Sequence, residues 1–356
     1  MNNIRKIQQK LTEKGLDAVL VMDEKDQRYA VGFPFSDGAV LVAREKAWLI
    51  TDSRYIEAAG KAVPDYIEVQ EFGRGCPMSK LLKADMSEAG VQRLGGEEGR
   101  VCHGQYLNLQ RILGTELIPA QDIFLSLRAS KNENEIKSLI KAQRISEKAL
   151  EETLPVIKPG VTEREVAAYL VYRMLANGSE GNSFDPIVIT GEKTSMPHGV
   201  PGDKVIKKGD FVTMDFGSLK DGYCSDMTRT VAVGSATDEM KNVYSVVLEA
   251  QLAGIAAARA GVSGEKIDGA ARDVIGRAGY GEYFGHSFGH SLGLDIHEMP
   301  SASPGASAPM PAGAVISAEP GIYIPGRFGV RIEDVMVLRE GGSQVITKAP
   351  KDLMIL

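Results

Sequence analysis

Residues 209–215 read GDFVTMD, and residues 313–319 read GAVISAE. The two segments align at a shift of 104 positions, and each is a glycine-led apolar strand that ends on a carboxylate. A second pair of acidic residues follows at a shift of 107. The four carboxylates at equivalent places are Asp215 and Glu319, then Asp226 and Glu333. The repeat predicts a duplicated unit in which each copy presents two acidic side chains.

A turn signal joins the two strands of the first copy. Lys220-Asp221-Gly222 separates two β-rich runs, which predicts a β-hairpin over residues 211–233. Because side chains alternate between the two faces of a strand, a two-residue turn there puts Asp215 and Asp226 on the same face. The helical segments ahead of each copy also repeat, at a shift of 101 positions. Two hairpins related by a pseudo-twofold axis would therefore bring four carboxylates to one point.

The four carboxylates and His290 form a candidate ligand set for two adjacent divalent metal ions. Burying a free carboxylate is expensive, so acids in apolar strands need a partner. Oxygen-rich ligation with one imidazole suits Mn, Co, Zn or Fe, and manganese is the expected metal. The alternative is structural, with salt bridges to Arg229 in the first copy and solvated strand ends in the second. Asp334, beside Glu333, is expected on the opposite strand face in a structural role.

Histidines are concentrated in one glycine-rich segment, residues 284–300, FGHSFGHSLGLDIHEMP. Three of the five histidines of the chain, His286, His290 and His297, fall there. A packing role is the usual explanation for one such residue, but three within twelve positions favour a site. His198 follows a proline in a second candidate segment, whereas His103 is interpreted as a surface or packing residue. Histidine readily donates and accepts protons near neutral pH.

Composition excludes several classes of protein. The formal net charge is −6, with basic and acidic residues interspersed, which argues against nucleic acid as a partner. No apolar run reaches the roughly 18 residues of a membrane-spanning helix, and no signal peptide is evident, so a cytoplasmic location is expected. The three cysteines lack CxxC spacing. Neither phosphate-binding loops nor a GxSxG serine elbow occurs, which leaves metal-activated water as the favoured chemistry.

The length of 356 residues predicts two domains. Short β-like runs alternate with helical stretches over the first 125 residues, which is typical of a small α/β domain. The pattern breaks between Leu125 and Ser130, and residues 130–133, SKNE, are predicted to be a capping box that opens a long helix. The expected domains are residues 1–127 and 128–356.

Several segments resemble the Xaa-Pro peptidases, the prolidases and aminopeptidases P of the pita-bread metallopeptidase family. The matching segments are MDFG at 214–217, YCSDMTRT at 223–230, GHSLGLDIHEMP at 289–300, EPGIY at 319–323, GVRIED at 329–334 and YAVGF at 29–33. The resemblance covers essentially the whole chain. It implies a creatinase-like α/β N-terminal domain, followed by an α+β pita-bread catalytic domain with an internal pseudo-twofold duplication.

The resemblance also implies a role for each candidate residue. Asp215 would bind one metal and His290 with Glu319 the other, while Asp226 and Glu333 would bridge both. A hydroxide between the metals would attack the scissile carbonyl, with Glu319 as the proton shuttle. The catalytic histidines implied are His198 and His297, and the implied substrate-binding residues are His286, Tyr323 and Arg331.

The implied substrate is a proline-containing peptide, either a dipeptide or the amino end of a longer chain, and the implied assembly is a homodimer or higher homo-oligomer. A creatinase-like amidinohydrolase works without metals, and a non-catalytic peptide-binding scaffold loses ligands, so retention of all five candidate ligands disfavours both. A methionine aminopeptidase usually lacks the first domain. Several relatives carry asparagine where this chain has Lys193, which is expected to alter the pocket rim.

Overall fold

The computed structural model describes residues 2–356, which form two compact units that divide after Leu127. The first unit contains a six-stranded sheet in the order β4-β3-β2-β1-β5-β6. Its strands are β1 Ala18–Val21, β2 Gly38–Ala43, β3 Ala47–Thr51, β4 Glu68–Glu71, β5 Leu94–Gly96 and β6 Leu117–Pro119. Its helices are α1 Asn3–Lys14, α2 Glu24–Val31, α3 Ile56–Ala62, α4 Met78–Glu88, α5 His103–Leu113 and α6 Gln121–Arg128, the last of which crosses the division.

Hydrophobic periodicity accounts for the first elements. The side chains of Ile4, Ile7 and Leu11 recur at helical spacing on α1, and all three are buried. The helix ends at Gly15, which adopts a left-handed conformation with φ of 65°. Every residue of β1 is buried, as expected for a strand in the interior of a sheet. The predicted α/β pattern of the first domain is therefore confirmed.

The start of the second unit differs from the prediction. Helix α6 continues to Arg128, through part of the predicted break. The predicted capping box beginning at Ser130 is wrong, because Asn132 caps the next helix and pairs with Glu135. The Asn132 carboxamide accepts hydrogen bonds from two backbone N–H groups, whereas the Ser130 hydroxyl donates to the carbonyl of Ala312 at 2.6 Å. Glu135 completes the box, because its carboxylate accepts a hydrogen bond from the backbone N–H of Asn132 at 2.8 Å.

The second unit consists of two halves, each with two helices followed by strands. The first half contains α7 Glu133–Thr153, α8 Glu163–Ala176, β7 Gly181–Asn182, β8 Ile187–Thr190, β9 Phe211–Phe216, β10 Ser218–Lys220, β11 Tyr223–Cys224 and β12 Met227–Ala232. The second half contains α9 Asp238–Ala257, α10 Gly264–Arg277, β13 Gly289–Ser291, β14 Glu298–Ala302, β15 Val315–Ala318, β16 Gly321–Ile324, β17 Phe328–Arg331, β18 Asp334–Arg339 and β19 Gly342–Val345. Their main sheets have the orders β12-β9-β8 and β14-β13-β15-β18-β19.

The register of the first hairpin agrees with the predicted arrangement of its acids. Asp221 and Gly222 form the two-residue turn, with φ of 50° and 75°. The register that pairs Lys220 with Tyr223 also pairs Phe216 of β9 with Met227 of β12. Asp226 therefore lies opposite Gly217. Gly217 and Asp215 are two residues apart, which puts Asp215 and Asp226 on one face. Asp226 itself lies just before β12 rather than within it.

The second hairpin is interrupted. Strand β15 pairs with β18, with Ala318 opposite Asp334, and the small hairpin β16-β17 is inserted between them. Glu319 and Glu333 therefore lie just beyond the paired ends of β15 and β18. The two halves meet where the backbone N–H of Glu333 donates to the carbonyl of Thr228 at 3.1 Å. No helix within residues 2–356 has the length and apolar character needed to cross a membrane.

Candidate metal centre

A cavity of about 400 Å³ lies in the second unit where the two hairpins meet. Every residue proposed from the sequence for the site lines this cavity except Tyr323. The predicted residues that line it are His198, Asp215, Asp226, His286, His290, His297, Glu319, Arg331 and Glu333. Apolar side chains of Phe184, Ile187 and Ile296 line other parts of its wall. Acids from two sequence-distant hairpins and histidines from two further segments thus share one space.

The closest group within the cavity consists of Asp226, His290 and Glu333. Each offers one possible ligand atom, and these atoms lie within 4.8 Å of one another. The Nε2 atom of His290 is 3.3 Å from Oε1 of Glu319 and 3.6 Å from Oδ2 of Asp226. Its Nδ1 atom lies 3.1 Å from the carbonyl of Ser291, which orients Nε2 toward the carboxylates.

Several carboxylate oxygens in this group lack a partner. Oδ1 of Asp215, Oδ1 of Asp226 and Oε1 of Glu333 are buried and have no hydrogen-bond partner among the described residues. Buried hydrogen-bond acceptors normally have a partner. Cations bound between these three carboxylate oxygens would supply one. Oxygen atoms with one imidazole are suitable ligands for a pair of first-row divalent ions. The residues therefore fit the metals that the ligand pattern implies.

The pKa values of Asp226, Glu333, Glu319 and His290 shift in the directions expected of ionisable groups that are buried together. Burial, followed by the negative charges of neighbouring acids, raises the pKa of Asp226 and Glu333 well above the usual carboxyl range. Burial also raises the pKa of Glu319 and lowers that of His290. The isolated cluster thus favours neutral carboxyl groups and a neutral imidazole. Divalent cations would reverse the shift of each acid by stabilising its ionised form.

A hydrogen-bonded chain runs along one side of the cavity. Arg331 donates to Oδ2 of Asp215 at 2.5 Å and to the hydroxyl of Tyr323 at 2.8 Å. The Tyr323 hydroxyl also lies 2.9 Å from Nε2 of His286. Tyr323 stands behind the wall rather than in it, and burial raises its pKa to about 12. It therefore links the two lining residues on either side of it and remains a phenol across the working pH range.

The two histidines proposed as catalytic differ in how they are held. The ring of His297 packs against that of His290, with centroids 4.3 Å apart, and burial lowers its pKa. His198 is exposed and lines the cavity from the loop that follows residues 191–195. His103 is exposed at the first turn of α5 in the other unit, as predicted.

The arginine that pairs with an acid of the first hairpin is not the one suggested by the sequence. The salt-bridge alternative paired the first two acids with Arg229, but Arg229 is fully buried and binds Asp334 at 2.8 Å. Asp334 also pairs with Lys351, in agreement with its predicted structural role. The ion pair of Asp215 is instead with Arg331. Sequence proximity favoured Arg229, three positions after Asp226, but the tertiary fold pairs Asp215 with an arginine 116 positions further along the chain.

Lys193 does not lie on the cavity wall, contrary to the prediction that it alters the pocket rim. Its Nζ atom binds the buried carboxylate of Glu163 and the carbonyl of Val200, each at 2.6 Å. Lys193 therefore anchors the loop that carries His198 from outside the cavity. The apolar lining residues Phe184 and Ile187 were also missed, because isolated apolar side chains carry no signal that separates a cavity wall from a core.

Known proteins share this arrangement of domains. Residues 137–340 match the profile of metallopeptidase family M24, and residues 3–130 match the creatinase/prolidase N-terminal domain. The chain belongs to metallopeptidase family M24. The predicted fold, a creatinase-type domain followed by a pita-bread domain, is confirmed by this membership and by the structures of family M24 relatives.

Three relatives illustrate the similarity within the M24 family. The uncharacterized peptidase YqhT of Bacillus subtilis is 41% identical over 355 residues, which cover 99% of each chain. The structure of an Xaa-Pro dipeptidase from Bacillus anthracis superposes with a TM-score of 0.95 at 41% identity, over 99% of each chain. The structure of an X-Pro aminopeptidase from Thermotoga maritima gives a TM-score of 0.92 at 38% identity, over 96% of this chain and 98% of that one.

Proposed function

We propose that this chain hydrolyses the Xaa-Pro peptide bond, in dipeptides or at the amino end of longer peptides, with two divalent metal ions. The observation that carries the proposal is the convergence of four carboxylates and His290 on one cavity, with three buried carboxylate oxygens unpaired. The substrate class rests on relatives named Xaa-Pro dipeptidase and X-Pro aminopeptidase. Manganese is the metal we propose, and Co, Zn and Fe share the same ligand preference.

The proposed ligands divide between the ions as the family resemblance implies. Asp215 would hold one ion, His290 and Glu319 the other, and Asp226 with Glu333 would bridge them. When bound, the pair would lower the pKa of water from roughly 15.7 toward about 7 and polarise the scissile carbonyl. Arg331 would fix the orientation of Asp215 through their 2.5 Å contact.

The remaining side chains would handle protons and substrate. Glu319 would carry a proton to the leaving proline nitrogen, as the family resemblance implies. His198 and His297, which belong to different segments of the chain, would donate hydrogen bonds to the oxygen of the scissile carbonyl as negative charge develops there. His286, held by Tyr323, would contact the peptide.

Reconstitution of chelated protein tests the proposal. Protein stripped with a chelator and titrated separately with Mn²⁺, Co²⁺, Zn²⁺ or Fe²⁺ should bind two ions per chain and recover hydrolysis of Xaa-Pro peptides. Xaa-Pro dipeptides and Xaa-Pro-Xaa tripeptides should be assayed side by side, because the two named activities differ in that substrate. Binding of two ions without hydrolysis of either would favour a peptide-binding scaffold. Hydrolysis of creatine in the presence of excess chelator would favour the metal-free amidinohydrolase.

The family resemblance also bears on the assembly of the protein and on its location. We propose a homodimer or higher homo-oligomer in the cytoplasm that takes proline-containing peptides, with neither nucleic acid nor a membrane as partner. Light scattering of the purified protein measures the assembly, and a monomeric mass at micromolar concentration would contradict it. Cell fractionation measures the location.

A further inference from the structure

Each half of the second unit has a buried polar side chain on its first helix that contacts the residue just before a proposed bridging carboxylate. In the first half this side chain is Ser146 of α7, and in the second it is Gln251 of α9. Both are fully buried. Gln251 lies 105 positions after Ser146, and the same shift separates Glu133 and Asp238, the first residues of α7 and α9. The duplication therefore places the two side chains at equivalent positions.

Ser146 lies in a cluster of three hydroxyl groups at the base of the first hairpin. Its Oγ atom is 2.9 Å from the hydroxyls of Ser218 and Ser225, and it accepts a hydrogen bond from the backbone N–H of Ser218 at 3.0 Å. Ser225 immediately precedes Asp226. The strands approach closely here, since a Cβ atom on Gly217 would lie 1.9 Å from the carbonyl of Ser225. The cluster thus fixes the strand pair at the point from which Asp226 projects.

Gln251 makes the corresponding contacts in the second half. Its Nε2 atom donates to the carbonyl of Ala318 at 3.2 Å and to that of Ile332 at 3.4 Å. These carbonyls belong to the residues immediately before Glu319 and Glu333. Because β16 and β17 interrupt this hairpin, the ladder between β15 and β18 ends at Ala318 and Asp334. One carboxamide therefore joins the two chain segments that carry the acids.

We infer that Ser146 and Gln251 are positioning residues for the proposed metal centre, acting on Asp226 and on Glu319 with Glu333 respectively. The inference rests on the metal site proposed above. Neither side chain lines the cavity, so each acts only through the neighbouring residues that it holds. Groups that orient metal ligands affect metal affinity by about 10- to 100-fold when removed.

The test compares two identical substitutions. Gln251→Met removes the carboxamide at nearly constant volume, and Gln143→Met makes the same change on α7. Gln143 is also fully buried, but neither of its amide atoms has a hydrogen-bond partner among the described residues. Protein stripped of metal with a chelator is titrated with Co²⁺, and binding is monitored by the visible absorption of the bound ion. This measures metal affinity independently of turnover. We expect Gln251→Met to weaken Co²⁺ binding by about 10- to 100-fold and to alter the absorption band, and Gln143→Met to leave both unchanged.

Ser146→Ala provides a second variant that removes a single oxygen atom, and it should weaken Co²⁺ binding in the same direction even if Gln251→Met fails to fold. Wild-type Co²⁺ affinity and absorption in folded Gln251→Met or in Ser146→Ala would overturn the inference, whatever their melting temperatures. In that case the wild-type chain would still bind Co²⁺, so the proposed function would stand. Absence of Co²⁺ binding by the wild-type chain would instead overturn the proposed site and this inference with it.

Discussion

Replacing Glu333 with glutamine should stabilise the metal-free protein while abolishing metal binding and turnover. The nearest ligand atoms of Glu333 and Asp226 lie within 4.8 Å of each other. Two unit negative charges at that separation repel by roughly 3.5 kcal/mol at an effective dielectric constant of about 20. Protonation relieves part of this repulsion, so we expect a gain of about 2 kcal/mol in the free energy of unfolding near pH 8. For a domain of this size the melting temperature should rise by roughly 4–8 °C.

The pH dependence has a definite sign. Burial and neighbouring charges raise the pKa of Glu333 and Asp226, so the folded state retains protons that the unfolded chain has released. The associated stability is present below the ordinary carboxyl pKa of about 4 and is lost as pH rises through the folded-state value. The metal-free wild-type protein should therefore become less stable between about pH 5 and about pH 8, and Glu333→Gln should show a smaller decline.

Thermal melts in excess chelator at these two pH values measure both effects. Glu340→Gln is a matched control, because Glu340 is exposed and lies seven positions along the chain. It should follow the wild-type protein at both pH values. A melting temperature for Glu333→Gln at or below that of the wild-type protein near pH 8 would refute the like-charge reasoning. Added Mn²⁺ should raise the melting temperature of the wild-type protein and leave that of Glu333→Gln unchanged.

Two further predictions concern the segments that carry the histidines. Lys193→Met should lower kcat, because the loop that carries His198 loses its anchor. The same change should have no effect on kcat in a His198→Ala background. Additive losses of kcat in this double-mutant cycle would contradict a role of Lys193 through His198. Glu298→Gln should destabilise the protein by about 3 kcal/mol, because it removes the carboxylate that the buried ammonium of Lys131 shares with the buried guanidinium of Arg128. Urea unfolding at pH 7.5 measures the loss, and a change below about 1 kcal/mol would contradict it.

The sequence predicted those features that depend on local patterns. The face shared by Asp215 and Asp226 followed from a two-residue turn and the alternation of side chains, and the structure has that register. The capping box of α8 has an equally local pattern, because Thr162 stands three residues before Glu165. Near Ser130 two overlapping cap patterns compete, and the sequence did not distinguish them, because the outcome depends on a contact with Ala312 far along the chain.

Features that arise from distant contacts were missed. Nothing in the neighbourhood of Asp215 indicates Arg331 as its partner, because the pair forms only when the two hairpins pack together. Gln251 looks like any other helical residue in the sequence. The positioning role inferred for it follows only from its contacts with the carbonyls of Ala318 and Ile332. Sequence periodicity identifies the face of a helix that is buried, but it does not identify which backbone groups that face will meet.

The union of the two halves has a consequence for how the molecule is held together. Asp226 and Glu333 are 107 positions apart and belong to different halves, and none of Cys76, Cys102 and Cys224 forms a disulfide bond. An ion shared by the two carboxylates would close a loop of that length in the same way as a disulfide bond, and loop closure restricts the unfolded chain. Such a cross-link would withstand thiol reductants and open to a chelator, so the integrity of the fold would follow the supply of metal rather than the redox state of its surroundings.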